Sequence, residues 1–196
     1  GAGQPFNVMR YGDWGLDELM QFNIIGQPGV FMRRAALERA GYLDESYHYL
    51  LDHQLWLRVV QGGRMRHVPE CWAAARFHAA AKNVARSASF GGEALRIAAW
   101  MAEQPTLADR YRRLSRRVWA GAYRIHGRYL LDGNQPGPAL RAYLRSFGFY
   151  PPIALAETHR ILYAAASLLV DVRGLRRWYL ERRKRRLEAN SKGIIK

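Results

Sequence analysis

The sequence predicts an α/β segment followed by a mainly α-helical extension, and three observations carry that expectation. Short strand-like runs alternate with short helical patterns as far as Phe77. From about Ala80 onward the apolar spacing turns helical. Charge divides the chain in the same way: residues 1–104 carry 11 basic and 10 acidic side chains, whereas residues 105–196 carry 20 and 6. The formal charge of +15 therefore belongs almost wholly to the second half. It excludes an acidic solvating protein and invites nucleic acid, phosphoryl compounds or an anionic membrane surface as partner. With 196 residues, 49% of them hydrophobic, the chain can bury a core and is not a disordered tract.

In the first zone, Asn23 to Ile25, Gly29 to Met32, Met65 to Val68 and Ala73 to Phe77 read as strands. Arg34 to Ala40 reads as a helix, with Gly41 placed for a left-handed C-terminal cap. Leu43-Asp44-Glu45-Ser46 reads as a turn. Asp52 to Gln61 is a helix whose Leu55 and Val59, with Trp56 and Val60, form one apolar face, and Gly62-Gly63 ends it. Pro69-Glu70 marks a further turn.

The second zone is helical. Glu93 to Gln104 stops before Pro105, and Leu107 to Leu131 carries a stripe of Leu114, Val118, Ala122, Ile125 and Tyr129. Asp132-Gly133-Asn134 breaks it, and Pro138 to Ser146 resumes a helix that ends near Gly148 and Pro151-Pro152. This hairpin resembles a single tetratricopeptide-like unit, although one unit is not an array and an ordinary helical hairpin reads the same way. The third zone, Ile153 to Lys196, reads as one or two helices and a polybasic tail.

Cys71 is the only cysteine, which excludes an intramolecular disulfide or a cysteine-rich zinc site and fits a reducing compartment. The chain opens Gly-Ala-Gly-Gln-Pro with no secretory signal pattern. Its longest apolar stretch, Ile161 to Val170, is about half of the roughly twenty residues a membrane-spanning helix needs. A cytoplasmic protein is expected.

Chemistry concentrates between Asn23 and Asn83. Gly26-Gln27-Pro28-Gly29 is a stiff, close-approach loop, though such a motif is most often a plain turn. Asp52 opens a helix, where free backbone N–H groups and the dipole favour a carboxylate whether or not it catalyses anything. Arg76 and His78 end a strand-like run and Lys82 follows. Trp56 and Arg58 read as structural. His48, His53 and His67 have no partners at metal-ligand spacing.

The order of these pieces, with Arg-Arg-x-x-Leu-x-x-x-Gly from Arg33 and Asp-x-x-Leu-Trp-x-Arg from Asp52, resembles the C-terminal half of family-2 glycosyltransferases of the GT-A fold. The resemblance covers about sixty residues of the chain. It implies a glycosyltransferase half over residues 1–104, a helical hairpin over 105–152 and a basic helical tail over 153–196. It also implies inverting transfer of a sugar from a nucleotide-diphosphate donor to a hydroxyl of a glycan or lipid-linked acceptor, as in building cell-surface polysaccharide. Asp52 would be the base and Gly26, Gln27, Pro28 and Gly29 would line the donor and acceptor pocket. Arg76 and Lys82 would bind the diphosphate. His78 would ligate a divalent cation, Mg2+ or Mn2+, with the diphosphate. Two departures stand out: Leu51 precedes Asp52 where the family often has an acid, and no Asp-x-Asp occurs anywhere. The expectation is therefore a fragment that lacks the nucleotide-binding half and is inactive alone.

The Arg/Lys-rich stretch from Val172 to Arg186, with Leu175, Trp178, Tyr179 and Leu180 interleaved, fits a peripheral helix at an anionic membrane, on the inner face for a cytoplasmic enzyme. A solvated helix end fits the same residues. Nucleic acid is disfavoured by the lack of a recognised reading module. The competing function is a non-catalytic helical adaptor that binds a membrane surface or a protein through its basic half.

Overall fold

The computed structural model describes residues 8–75, 87–169 and the pair 181–182. Among them are eight helices of five residues or more: α1 Leu16–Met20, α2 Arg34–Ala40, α3 Leu51–Gln61, α4 Ser87–Glu103, α5 Ala108–Asp132, α6 Pro136–Phe149, α7 Pro151–Leu155 and α8 Thr158–Leu169. Two short 3-10 turns lie at Gln27–Gly29 and Pro105–Leu107. No β-strand occurs among the described residues. The expected α/β class is thus corrected to mainly α-helical.

The strand-like runs fail for a physical reason: a strand needs a neighbour for its N–H and C=O groups, and among the described residues none of these runs forms a backbone ladder with another. Asn23 to Ile25 instead lies against a helix, with Ile25 buried and its carbonyl accepting the Trp56 indole N–H at 3.3 Å. Gly29 belongs to a 3-10 turn. Met65 to Val68 and Ala73 to Ala75 have no regular secondary structure. Phe77 lies outside the described residues.

The helices follow their signals more closely. Gly41 ends α2 at φ 81°, the left-handed cap its position predicts. After α5, however, Gly133 keeps φ −81° and Asn134 takes the left-handed conformation at φ 61°. Asn tolerates it because its short polar side chain bonds locally. Pro136 starts α6 and Pro151 starts α7, at first-turn positions where a missing N–H costs nothing. In sequence terms Pro151-Pro152 reads as a stop; it is also the start of the next helix.

The main core joins Leu19, Met20 and Phe22 around α1 to Leu55, Trp56 and Leu57 of α3, Ile97 and Met101 of α4, and Leu114, Val118, Ala122 and Ile125 of α5. At five residues α1 is too short to stand alone. Burying Leu19, Met20 and Phe22 completely, at about 1.5–3 kcal/mol each, holds it in place. A second cluster of Leu130, Leu131, Ala139, Ala142, Tyr143 and Ala164 joins α5, α6 and α8.

Glycines set how closely α5 meets its neighbours. A Cβ on Gly121 would sit 2.7 Å from the carbonyl carbon of Gln21, which is rigid backbone at the end of α1. Gly92, on the exposed face of α4, would meet nothing within 4 Å. The two therefore respond oppositely to alanine. Gly92→Ala should stabilise by about 0.5–1 kcal/mol through helix propensity. Gly121→Ala gains the same propensity yet forces α1 off α5, with an expected net loss of about 2 kcal/mol. Urea unfolding of both variants checks this; a Gly121→Ala protein as stable as Gly92→Ala would mean that α1 does not pack here.

Candidate functional site

The start of α3 is built from afar. Leu50, the residue before it, offers no side-chain cap. Glu93 of α4 instead holds the segment leading into α3, its carboxylate accepting the backbone N–H of His48 at 2.6 Å and those of Tyr49 and Leu50 at 2.8 Å each. These bonds fix the chain as it enters α3 and so aim its second residue, Asp52.

Asp52 is half-buried, and its Oδ1 accepts the His53 backbone N–H at 2.7 Å. Burial raises its pKa above the ordinary aspartate value, outweighing the backbone hydrogen bonds that lower it. No arginine, lysine or histidine among the described residues forms an ion pair with it. Close by, Tyr49, Phe90 and Tyr129 stack with successive ring centroids 4.7 Å apart. Burial pushes the Tyr129 phenol up, and the Asp52 charge is among those that add to it. Asp52 is thus a half-buried carboxylate with raised proton affinity and a fixed orientation, near enough to Tyr129 for its charge to be felt there.

The Gly26–Gly29 loop is tied to the same helix. Trp56, one turn after Asp52, holds the Ile25 carbonyl, and the Tyr11 hydroxyl accepts the Gly26 N–H at 2.9 Å. Gln27, Pro28 and Gly29 are exposed. A Cβ on Gly26 would come within 3.0 Å of the Tyr11 hydroxyl, so the space this glycine leaves is taken by Tyr11. Arg76, His78 and Lys82 lie outside the described residues.

Trp56 is buried in the core, as its apolar face predicts. Arg58 is structural in a way its spacing does not reveal: it donates to the Ala40 and Tyr42 carbonyls and to Gln54 Oε1, closing the end of α2 onto α3. At that far end of α3 lies an open groove of about 940 Å³ lined by Arg39, Arg58, Arg64 and Arg110. Its lining on α3 begins at Arg58, six residues or about 9 Å beyond Asp52, and does not include Asp52.

His53, beside Asp52, points the other way. It is fully buried and stacks on Phe22 at 5.3 Å, with the Leu19 backbone as the polar group that partly offsets its burial. Burial drives its pKa from 6.5 to about 4. The folded state therefore prefers neutral His53, a preference fully present above pH 6.5 and lost as the pH falls toward 4. About 3 kcal/mol should disappear across that window. Comparing denaturant unfolding of the wild type and His53→Phe from pH 7 to 4.5 tests it, with a flatter profile expected for the variant. Parallel profiles would show that His53 does not titrate on unfolding.

Among the described residues no group of three His, Cys, Asp or Glu side chains could hold a metal ion. None of their helices is long and apolar enough to cross a membrane.

No protein-family model, curated protein or solved structure matches the chain. With that result, and with no strand among the described residues, the resemblance to family-2 glycosyltransferases and the GT-A fold does not hold. What remains is the local chemistry. Sequence reasoning finds Asp52 and the loop but misses Glu93 and Phe90, which act across more than thirty-five positions. Only the buried stripe through Tyr129 signals that α5 reaches this site.

Proposed function

We propose that this protein takes part in sugar transfer to a hydroxyl acceptor, with Asp52 as the general base. One observation carries the reading: an oriented, half-buried carboxylate with raised proton affinity and no ion-pair partner among the described residues. Removing a proton from an attacking hydroxyl needs a carboxylate that is ionised yet basic, and desolvation supplies that compromise. Base catalysis here would deprotonate the acceptor oxygen as it bonds to the anomeric carbon and the donor's diphosphate departs. Gly26 to Gly29, exposed from Gln27 onward and anchored one turn from Asp52, would flank the acceptor. The donor is a nucleotide sugar in this proposal and the acceptor a glycan or lipid-linked glycan. Arg76 and Lys82 would meet the diphosphate and His78 a divalent cation. Exposed, unpaired Cys71 supports a cytoplasmic setting.

The test is transfer of labelled sugar from a panel of nucleotide sugars to acceptors extracted from the source cells, by wild type and Asp52→Asn. Because the chain alone is expected to be inactive, each form is added to source-cell lysate depleted of the endogenous protein; collapse with the variant supports the base, and equal transfer with both, or none restored by the wild type, overturns the reading. The competing adaptor role is favoured by a separate feature, the apolar side chains exposed on α6 and α8: Leu144, Phe147, Leu162, Leu168 and Leu169.

A further inference from the structure

We infer that the outer faces of α6 and α8 form a docking surface for an anionic lipid bilayer. The inference goes beyond the proposed catalytic role and does not depend on it.

On α8 the inward face is set by Arg160, Ala164 and Ser167, all buried. The opposite face carries Leu162 and Leu169, two turns apart, at 64% and 86% exposure, with half-exposed Ala165 and Ala166 between them. Leu168, also exposed, reaches toward Gly137 at the start of α6, so the two helices run antiparallel side by side. The outer face of α6 shows Leu144 and Phe147 alternating with exposed Arg141 and Arg145. Leucines this exposed on two neighbouring helices lose free energy to water unless something apolar covers them.

Charge identifies the cover. Between residues 105 and 169 there are three acids, and each is engaged by arginine: Asp109 by Arg112, Asp132 by Arg160, and Glu157 by Arg124, Arg128 and Arg160. Arg113, Arg116, Arg117, Arg141 and Arg145 have no carboxylate partner among the described residues. The sequence that leaves the leucine end of α8, residues 170–196, adds ten Arg or Lys against three Asp or Glu. An apolar face with exposed Arg141 and Arg145 beside it on α6, and a strongly basic sequence following α8, matches lipid headgroups over acyl chains. A nucleic acid would use the arginines but leave the leucines wet. A second copy would set one positive surface against another.

Co-sedimentation of the full chain with phosphatidylcholine–phosphatidylglycerol vesicles, and with pure phosphatidylcholine vesicles, tests the surface. Binding is expected on the anionic vesicles, weakened by salt, with little on the neutral ones. The double variant Leu162→Glu, Leu169→Glu should bind roughly tenfold more weakly or worse. Both positions are exposed, so its circular dichroism should match the wild type; if it does not, Leu162→Ser with Leu169→Ser replaces it under the same criterion. Failure to bind anionic vesicles, equal binding to neutral ones, or full binding by the leucine variant would overturn the proposal. So would a wild-type dimer in sedimentation velocity that the variant dissociates, or release from vesicles by an equal charge of duplex DNA with tighter binding to the DNA.

Discussion

Asp52→Asn is expected to cut sugar transfer by about 10²–10⁴-fold while leaving thermal stability unchanged or raised. The two halves of that result have separate causes. Asparagine keeps an Oδ1 that can accept the His53 N–H, so the start of α3 loses little as a helix terminus. What it removes is a charge that burial disfavours. Because the folded protein holds the Asp52 proton more tightly than the unfolded chain, folded molecules bind more protons between the ordinary value of 3.8 and the raised one. Stability contributed by this group therefore falls as pH rises through that window, and the penalty stands in full above it. The variant has no such penalty, so its advantage over wild type should be largest near neutrality and shrink in acid. His53 acts with the opposite slope in an overlapping range, and only a comparison at each pH separates them. Melting curves across pH, run beside the transfer assay, check both halves. A variant that melts lower by the roughly 1 kcal/mol of a lost helix cap, with transfer intact, would reduce Asp52 to a structural residue.

A stabilising Asn at Asp52 would also account for how the site reads in the sequence. Asp at a helix start is locally sensible, and no local rule separates a cap from a base. What sets Asp52 apart is its burial, and the entry to α3 is fixed from a distance by Glu93, which accepts the His48, Tyr49 and Leu50 N–H groups. Neither is visible in a window of ten residues. Helices of 11 to 25 residues, by contrast, are legible because their period repeats several times; α3 and α5 start within one residue of their predicted positions. α4 begins six residues earlier than its pattern suggests, since Gly91 and Gly92 weaken the helical signal. Gly91 is there because α5 passes close: a Cβ would meet the His126 Cα at 2.7 Å. The strand expectation fails at the other extreme. Runs of three to five residues hold one or two periods, and whether they become strands depends on a partner elsewhere in the chain. Ile24 and Ile25 look like a strand because they are β-branched and apolar. They are apolar because Ile25 packs beneath Trp56.

Glu157→Ala should lower the unfolding free energy by about 3–5 kcal/mol, the largest loss expected of any surface-distant charge in the chain. Glu157 sits in the turn between α7 and α8 at 3% exposure. Arg128 donates to its Oε1, Arg124 approaches the same oxygen at 3.7 Å, and the Arg160 Nε lies 3.1 Å from Oε2. Arg160 also binds Asp132 at the end of α5, at 2.9 Å. One carboxylate thus ties α8 to two successive turns of α5. Burial already works against the guanidinium of Arg124, bringing its pKa down to about 10, with Arg128 adding to the fall and Glu157 opposing it. Deleting the carboxylate leaves those cations facing each other in a dry turn. As an assembled set the network need add little to net stability, because desolvating five charged groups offsets much of their attraction. The cost therefore arises from breaking it. Replacing Arg124 and Glu157 together, by Met and Leu, should recover a good part of the loss and expose a coupling between them. Asp132→Asn should cost much less, since that residue reaches solvent and its partner keeps Glu157. Urea unfolding of the four proteins yields the comparison. A Glu157→Ala loss below about 1 kcal/mol would place the network among ordinary surface pairs and leave the α7–α8 turn held by packing alone.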